Sequence, residues 1–451
     1  MKKLIVISND IYIRNFVQTG AFSEIEDSDT YYVASGTVRH LSELQNKKNY
    51  LGTVKEPKWR FILHRRVLFP LLTFANKNKS TSFEFRTHRF KYRERLIFNL
   101  LSSRFLKKPM IFITMILSGY NQRLYKIIKD LNPDIVIIPS SATDSLSIDA
   151  TIICKKLNVI SIHLINGWDN LSSKIVYPLT PDYLCVWGQQ SVEHAEKIHG
   201  IPSKRVFPIG VPTFEHYFRS KEKSLKSHYA FEYALFAGCF VPFDEISALK
   251  ILEEKIEKSN IKNFKIVYRP HPWRAFRSCF DEFKQEEFNH VVLDDQVKDN
   301  YLKSRSKIVE GKDFLPSLDY YPALLSNAKF VICPLSTMTL ESAIFEKQVL
   351  VIAYDDGIHI TSPHNLFRYE HFRGIENLYG IQISNTKSDF EKLFIFIYNN
   401  TMNLKTIHKT NVREQIKYYI YYDNNTYAER LKKVIQSILD SSKLRPDIFR
   451  T

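Results

Sequence analysis

The sequence predicts an α/β protein of two Rossmann-like, doubly wound domains facing a cleft, with helices at its C-terminal end. Three observations predict it. Short apolar strands alternate with helical segments along most of the chain, the pattern of a parallel sheet covered on both faces. Several strands, such as Asp134–Pro139 (DIVIIP), are apolar without interruption, as strands buried on both sides are. A length of 451 residues exceeds what one compact core holds, so two domains are the default.

The elements follow in order. Leu4–Ser8 and Tyr31–Ala34 read as strands and Val38–Gln45 as helix. Arg60 to Lys108 is a long basic and aromatic segment, and Pro109–Leu131 reads as helical. After Asp134–Pro139 come a helix at Ser145–Leu157, strands at Val159–His163 and Tyr183–Trp187, a helix at Ser191–His199 and a strand at Arg205–Ile209. The lysine-rich Ser220–Ser227 reads as a linker, which separates an N-terminal, acceptor-side domain (1–219) from a C-terminal, nucleotide-donor domain (228–451). In the second half Tyr233–Ala237, Phe264–Tyr268 and His290–Leu293 are strands, while Asp244–Lys258 and Tyr321–Asn327 are helices. Asp389–Asn400, Asn411–Tyr421 and Tyr427–Asp440 read as a helical tail of that domain.

Composition narrows the class. A hydrophobic content of 44% with 25% charged residues is that of a globular protein. The net charge of +16 attracts anions such as phosphorylated substrates, anionic lipid or nucleic acid. The five cysteines are scattered with no CxxC pair, so neither a disulfide framework nor a zinc site is expected and a reducing compartment fits. The N-terminal MKKLIVISND reads as a first strand, without the extended apolar core of a signal peptide. Pro109–Leu117 is about half the length needed to cross a bilayer. A cytoplasmic protein is expected, peripheral on the inner face of the plasma membrane if the basic segment docks there.

The most informative stretch is Lys329–Tyr354 (KFVICPLSTMTLESAIFEKQVLVIAY). It reads as a buried strand (Phe330–Cys333), a turn carrying Ser336, Thr337 and Thr339, a helix from about Leu340, and a second strand (Val349–Ala353). The first N–H groups of such a helix lack internal partners and carry the positive end of its dipole, which suits the diphosphate of an activated donor. An ordinary strand–turn–helix unit with hydroxyl caps reads the same way. Glu341, one turn in, is a candidate for a ribose diol, or a plain first-turn acid favoured by the dipole.

Tyr268–Pro272 (YRPHP) follows a strand, which places Arg269 and His271 at a sheet rim in a loop stiffened by two prolines. Arg269 is a candidate two-pronged phosphate donor, and His271 a candidate donor to a phosphate oxygen or leaving group. Solvated side chains on a rigid surface loop are the plainer alternative. Asn166–Lys174 (NGWDNLSSK) joins amides, hydroxyls and an indole, a mixture that suits sugar recognition, although Asp169 or Asn170 also reads as a cap. In Asn9–Asn15, Asp10 is a candidate general base or an N-cap, and Arg14 a candidate anion contact. Thr361–Arg373 carries His364, Arg368, Glu370 and His371 without metalloprotease spacing, so no metal is expected.

The Arg60–Lys108 segment interleaves thirteen basic residues with Phe, Leu and Tyr. It reads as a surface for anionic lipid, where each basic residue contributes about 1 kcal/mol, as a holder of an anionic acceptor, or as solvated helix faces. Nucleic-acid-binding motifs are absent, so no nucleic-acid partner is expected. The lack of GxGxxG after the first strand and of GxxxxGK[ST] disfavours dinucleotide oxidoreductases and P-loop ATPases.

Trp168–Lys174 (WDNLSSK), Pro181–Trp187 (PDYLCVW), His199–Val206 (HGIPSKRV) and Ile209–Tyr217 (IGVPTFEHY) resemble stretches of bacterial GT-B glycosyltransferase-like proteins of surface-carbohydrate (capsule or O-antigen) synthesis. The His271–Pro272 pair and the Ser336–Thr337 turn are similar to motifs of the polysialyltransferase, Kdo-transferase and CDP-glycerol glycerophosphotransferase groups. The resemblance implies that His271, Ser336 and Thr337 engage the donor nucleotide's phosphates. It implies a transferase that moves a sugar from a nucleotide-activated donor, as co-substrate and with no other cofactor, to a glycan or lipid-linked acceptor. Catalytic candidates are then Asp10, Asp169 and His271; donor-binding candidates are Arg269, His271, Ser336, Thr337, Thr339 and Glu341. A CDP-glycerol or CDP-ribitol phosphotransferase, a sugar-nucleotide 2-epimerase and a non-catalytic module for polyanions or membranes are the rival expectations.

Overall fold

The computed structural model describes residues 1–140, 144–221, 225–271, 280–298, 316–359, 363–403 and 412–444. Pro272, with the rest of 272–279, and Thr361 lie outside the described residues. The chain divides into two compact units: residues 1–215, 369–371 and 417–451 form the first, and residues 216–368 and 372–416 the second.

The first unit is built on seven parallel strands: β1 Lys3–Ile7, β2 Thr30–Ser35, β3 Tyr50–Val54, β4 Ile135–Ser140, β5 Ile160–Ile165, β6 Tyr183–Val186 and β7 Val206–Pro208, in the order β3-β2-β1-β4-β5-β6-β7. The second has six: β8 Glu232–Ala237, β9 Phe264–Arg269, β10 Val291–Leu293, β11 Phe330–Pro334, β12 Gln348–Ile352 and β13 Ile381–Ser384, in the order β10-β9-β8-β11-β12-β13. Each sheet therefore reverses direction once, between β1 and β4 and between β8 and β11. This is the doubly wound arrangement expected, in which ligands gather at that reversal, outside the carboxyl ends of the strands. The unbroken apolar runs do become two-sided strands: every residue of β1, β4 and β11 is buried.

Three boundaries differ from expectation. Pro109–Leu131 is two helices, Lys107–Ser118 and Gln122–Leu131, because Gly119 takes φ +56° at the junction, where a side chain is strained. The helix after β11 begins at Thr337 rather than near Leu340, since the Ser336 hydroxyl accepts the Met338 N–H at 3.3 Å. The last helix, Tyr427–Leu444, belongs to the first unit and not to a C-terminal domain. Its apolar stripe of Tyr427, Leu431, Ile435 and Ile438 packs into the core of Ile5, Ile7, Ile135 and Ile162.

Candidate functional site

In the second unit the strand registers bring the hydroxyl turn and the proline-braced histidine to the same edge of one sheet. Ala237 of β8 pairs with Arg269 of β9, and Phe236 of β8 pairs with Ile332 of β11. His271 thus lies two residues beyond the end of β9, and Ser336 two residues beyond the end of β11, with β8 and the reversal point between them. Two strand spacings separate those chains, about 10 Å. A diphosphate hydrogen-bonded at each end bridges such a span. The His271 ring packs edge-on to Phe240, in the loop after β8, at 5.8 Å.

Ser336 is the N-cap of the Thr337–Ile344 helix, and Thr337 is exposed at its first position. The Met338 N–H is taken by the Ser336 hydroxyl and the Thr339 N–H by the Ser336 carbonyl at 3.1 Å, so what this end offers an anion is the positive end of the helix dipole. Thr339 is fully buried, with its hydroxyl 3.8 Å from Cys333 Sγ, so burial withdraws it from the donor-binding set. Glu341 is buried, and its Oε2 accepts the Tyr217 hydroxyl at 2.6 Å. Arg269 is also buried: Nη1 meets Asp294, Nη2 donates to Gln296 at 2.7 Å, and Nε donates to the Tyr321 hydroxyl at 3.1 Å. Its guanidinium lies over the Tyr321 ring at 4.7 Å. The expected phosphate contact is replaced by an internal ion pair, because a charge taken this far from water is matched inside the fold.

Three residues near this edge, His359, Asp356 and Glu245, escaped the sequence reading. His359, after β12, shares with Asp356 a 2.7 Å hydrogen bond, Nδ1 to Oδ2. Asp356 also accepts the N–H groups of Asp244, Ile358 and His359. Burial works against its charge, but these donors prevail and hold its carboxyl down at about 2. Glu245, at the start of the Glu245–Lys258 helix, is buried and accepts the Tyr268 hydroxyl at 2.6 Å. Its carboxylate lies so close under Gly238 that a Cβ there would fall 2.7 Å from Oε2, which is why the loop after β8 opens on glycine. The signals available were an acid four residues beyond the apolar strand β12 for Asp356 and an acid in the first turn of the helix after β8 for Glu245.

The first unit answers differently for its candidates. Asp10 is buried; its Oδ1 accepts the N–H groups of Arg39 at 2.7 Å and His40 at 3.0 Å and lies 3.4 Å from His40 Nδ1, so it pins the chain after β2. Arg14 donates to Asn15 at 3.2 Å. Asp169 pairs with Lys174 at 2.8 Å, and that ammonium, opposing the effect of burial, holds its carboxyl below the usual range. Trp168 is core rather than a sugar platform: it is 2% exposed, Nε1 donates to Gln190 at 2.7 Å, and its ring meets His371 edge-on at 5.2 Å. His371 and Glu370 pack into this unit, whereas His364 and Arg368 are exposed in the second.

The reversal point of the first sheet holds carboxyls that the sequence did not single out. Asp144, four residues beyond β4, caps the Ser145–Leu157 helix through the Ser147 N–H at 3.0 Å and accepts the Tyr12 hydroxyl at 3.4 Å. Burial raises its pKa. Burial likewise raises Glu56, which accepts the Ser35 hydroxyl at 2.7 Å, and the charges of Asp144 and Asp149 add to the effect. Asp149 itself is matched by Arg60, Nη1 to Oδ2 at 2.7 Å. Carboxyls whose hold on a proton is strengthened by burial at a strand-end rim are groups suited to accept and return one. As for metals, Glu253, Glu257 and His290 bring ligand atoms within 4.8 Å of one another, but Glu253 already accepts the Asn289 and His290 amides.

No family model and no curated protein matches the chain. Solved structures do. A putative UDP-N-acetylglucosamine 2-epimerase from Listeria monocytogenes aligns over 98% of this chain and 97% of its own, with a TM-score of 0.54 and 12% identity. The UDP-GlcNAc 2-epimerase of Methanocaldococcus jannaschii aligns over 97% and 100%, with a TM-score of 0.51 and 14% identity. That of Neisseria meningitidis bound to UDP-GlcNAc aligns over 98% and 100%, with a TM-score of 0.50 and 12% identity.

Proposed function

From that fold, two parallel-sheet α/β domains of the GT-B type, we propose that the chain is a nucleotide-sugar-dependent glycosyltransferase, moving a sugar to a surface polysaccharide or glycolipid acceptor. The observation that carries this reading is the shared sheet edge of His271 and the Ser336-capped helix, flanking the reversal point of the second sheet. The positive end of the helix dipole and His271 hold the diphosphate and offset the charge that grows on the departing phosphate oxygen. His359, fixed by Asp356, supplies a second imidazole at that edge. Within the first unit, Asp144 is the carboxyl suited to take a proton from a hydroxyl bound at that unit's own strand-end rim. Asp10 and Asp169, each committed to a neighbour, orient the loops around it.

The test is a thermal-unfolding screen of the purified chain against CMP, CDP, UDP, GDP and their sugars, followed by product analysis. A binding nucleotide at a hundred times its Kd adds about 2.7 kcal/mol of stability. Transfer of a sugar to an added acceptor supports the reading. A phosphodiester product reassigns the chain to polyol-phosphate transfer, and conversion of a free nucleotide sugar without acceptor reassigns it to 2-epimerisation. Salt-sensitive polyanion binding with no nucleotide response makes it a binding module.

A further inference from the structure

Three helical segments of the first unit turn large apolar side chains outward. In Lys58–Leu63 the buried residue is Arg60, ion-paired to Asp149, while Trp59, Phe61 and Ile62 are 54%, 46% and 50% exposed. In Lys107–Ser118 the buried residues are Thr114 and Ser118, while Phe112, Ile113, Ile116 and Leu117 face outward. In Tyr92–Leu101 nothing is buried, and Tyr92, Leu96, Ile97 and Leu100 fall on one face at spacings of four, one and three. Phe105, between the last two helices, is 84% exposed.

A helix folded against a core in water turns its apolar stripe inward. Here Arg60, Thr114 and Ser118 are buried, Ile111 and Met115 pack in part against the core and Phe98 stacks on Phe74, while a second set of apolar side chains on each segment faces outward. Thirteen of the nineteen large apolar side chains exposed among the described residues lie between Trp59 and Leu117. A concentration of this kind marks a surface that meets something other than water.

Charge identifies the occupant. Residues 58–118 hold fourteen Lys and Arg against Glu84 and Glu94, a net +12 of the chain's +16. Arg65, Arg66, Lys91, Arg93, Arg104 and Lys108 are exposed among the apolar groups. Among the described residues no helix is long and apolar enough to cross a membrane; helices of this length lie in the interface instead. We infer that the exposed faces of Lys58–Leu63, Tyr92–Leu101 and Lys107–Ser118, with Phe105, form a docking surface for an anionic phospholipid bilayer. The hydrocarbon enters the headgroup–acyl boundary, Trp59 and Tyr92 stay at headgroup level, and the basic side chains meet lipid phosphates. Nothing in this inference depends on the transfer reaction proposed above.

Flotation of the full chain with vesicles tests it. Phosphatidylcholine vesicles containing phosphatidylglycerol should carry the chain to the top of the gradient, and pure phosphatidylcholine should retain far less. Raised salt should weaken partitioning, by roughly fivefold for each basic contact screened. Replacing Phe105, Phe112, Ile116 and Leu117 together by Ser should lower partitioning by about tenfold or more with an unchanged melting temperature, since these side chains support no core. The inference falls if the wild-type chain stays at the bottom with anionic vesicles. It also falls if the four-Ser variant floats equally well, or if wild type is an oligomer that this variant dissociates and that ignores vesicles, which would make the face a contact between copies.

Discussion

At the carboxyl end of β12, Asp356 fixes the ring of His359 through the 2.7 Å bond between Oδ2 and Nδ1. Because Asp356 is ionised over the working range, it accepts, and the Nδ1 proton stays on the histidine. Nε2 is then the nitrogen that the proposed function assigns to the donor phosphates. His359→Ala should lower turnover by about 10²-fold or more and cost only a little stability, since Asp356 loses one donor and keeps the N–H groups of Asp244, Ile358 and His359.

Asp356→Asn should also cost stability. The folded carboxyl titrates at about 2 against an ordinary 3.8, so its contribution is complete above pH 4 and is lost as pH falls through 2. The stability gap between wild type and variant, from denaturant titrations, should be about 2 kcal/mol at neutral pH and close as acid is added.

His271 tests the phosphate edge. His271→Ala should abolish transfer with the fold intact by circular dichroism, and weaken nucleotide-induced stabilisation. Near-normal turnover would overturn the assignment. Ser336→Ala should cost about 1 kcal/mol of stability through the lost cap and lower nucleotide affinity in the same titration.

Asp144 and Arg269 separate chemistry from scaffolding. The Asp144 carboxyl is raised by burial, so it opposes folding increasingly as pH climbs past its ordinary value. Asp144→Asn should therefore melt no lower than wild type at neutral pH, while turnover falls by about 10²–10⁴-fold. Arg269→Ala should do the reverse: it leaves Asp294 buried without its cation and costs about 3–5 kcal/mol, while the folded fraction still responds to nucleotide.

Four histidines of the first unit make it acid-labile. Burial holds His64 and His199 at about 4, and His163 and His371 at about 3. Their folded pKa values lie below the ordinary 6.5, so the unfolded chain takes up more protons and stability is lost as pH falls below 6.5. Each histidine adds at most about 1.4 kcal/mol per pH unit. Denaturant midpoints at pH 7 and pH 5 should show the fall, and His163→Gln should reduce its slope.

The sequence by itself determined the two parallel sheets, because a strand covered on both faces must be apolar at every position, and β1, β4 and β11 are. It also determined the hydroxyl-capped turn at Ser336, a local matter of one hydroxyl and the amide two residues on. Tertiary structure alone decided which polar side chains face a ligand and which are consumed within. Arg269 and Trp168 looked like contacts until Asp294 and Gln190, 25 and 22 residues away, took their donors. His359 and Asp144 gained their character from burial and from partners that a linear reading cannot weigh. The Tyr427–Leu444 stripe carries no label saying which core it enters; it joined the first because that core had the matching apolar face. Hydrophobic period is a property of neighbours along the chain, whereas burial of a charge is a property of neighbours in space.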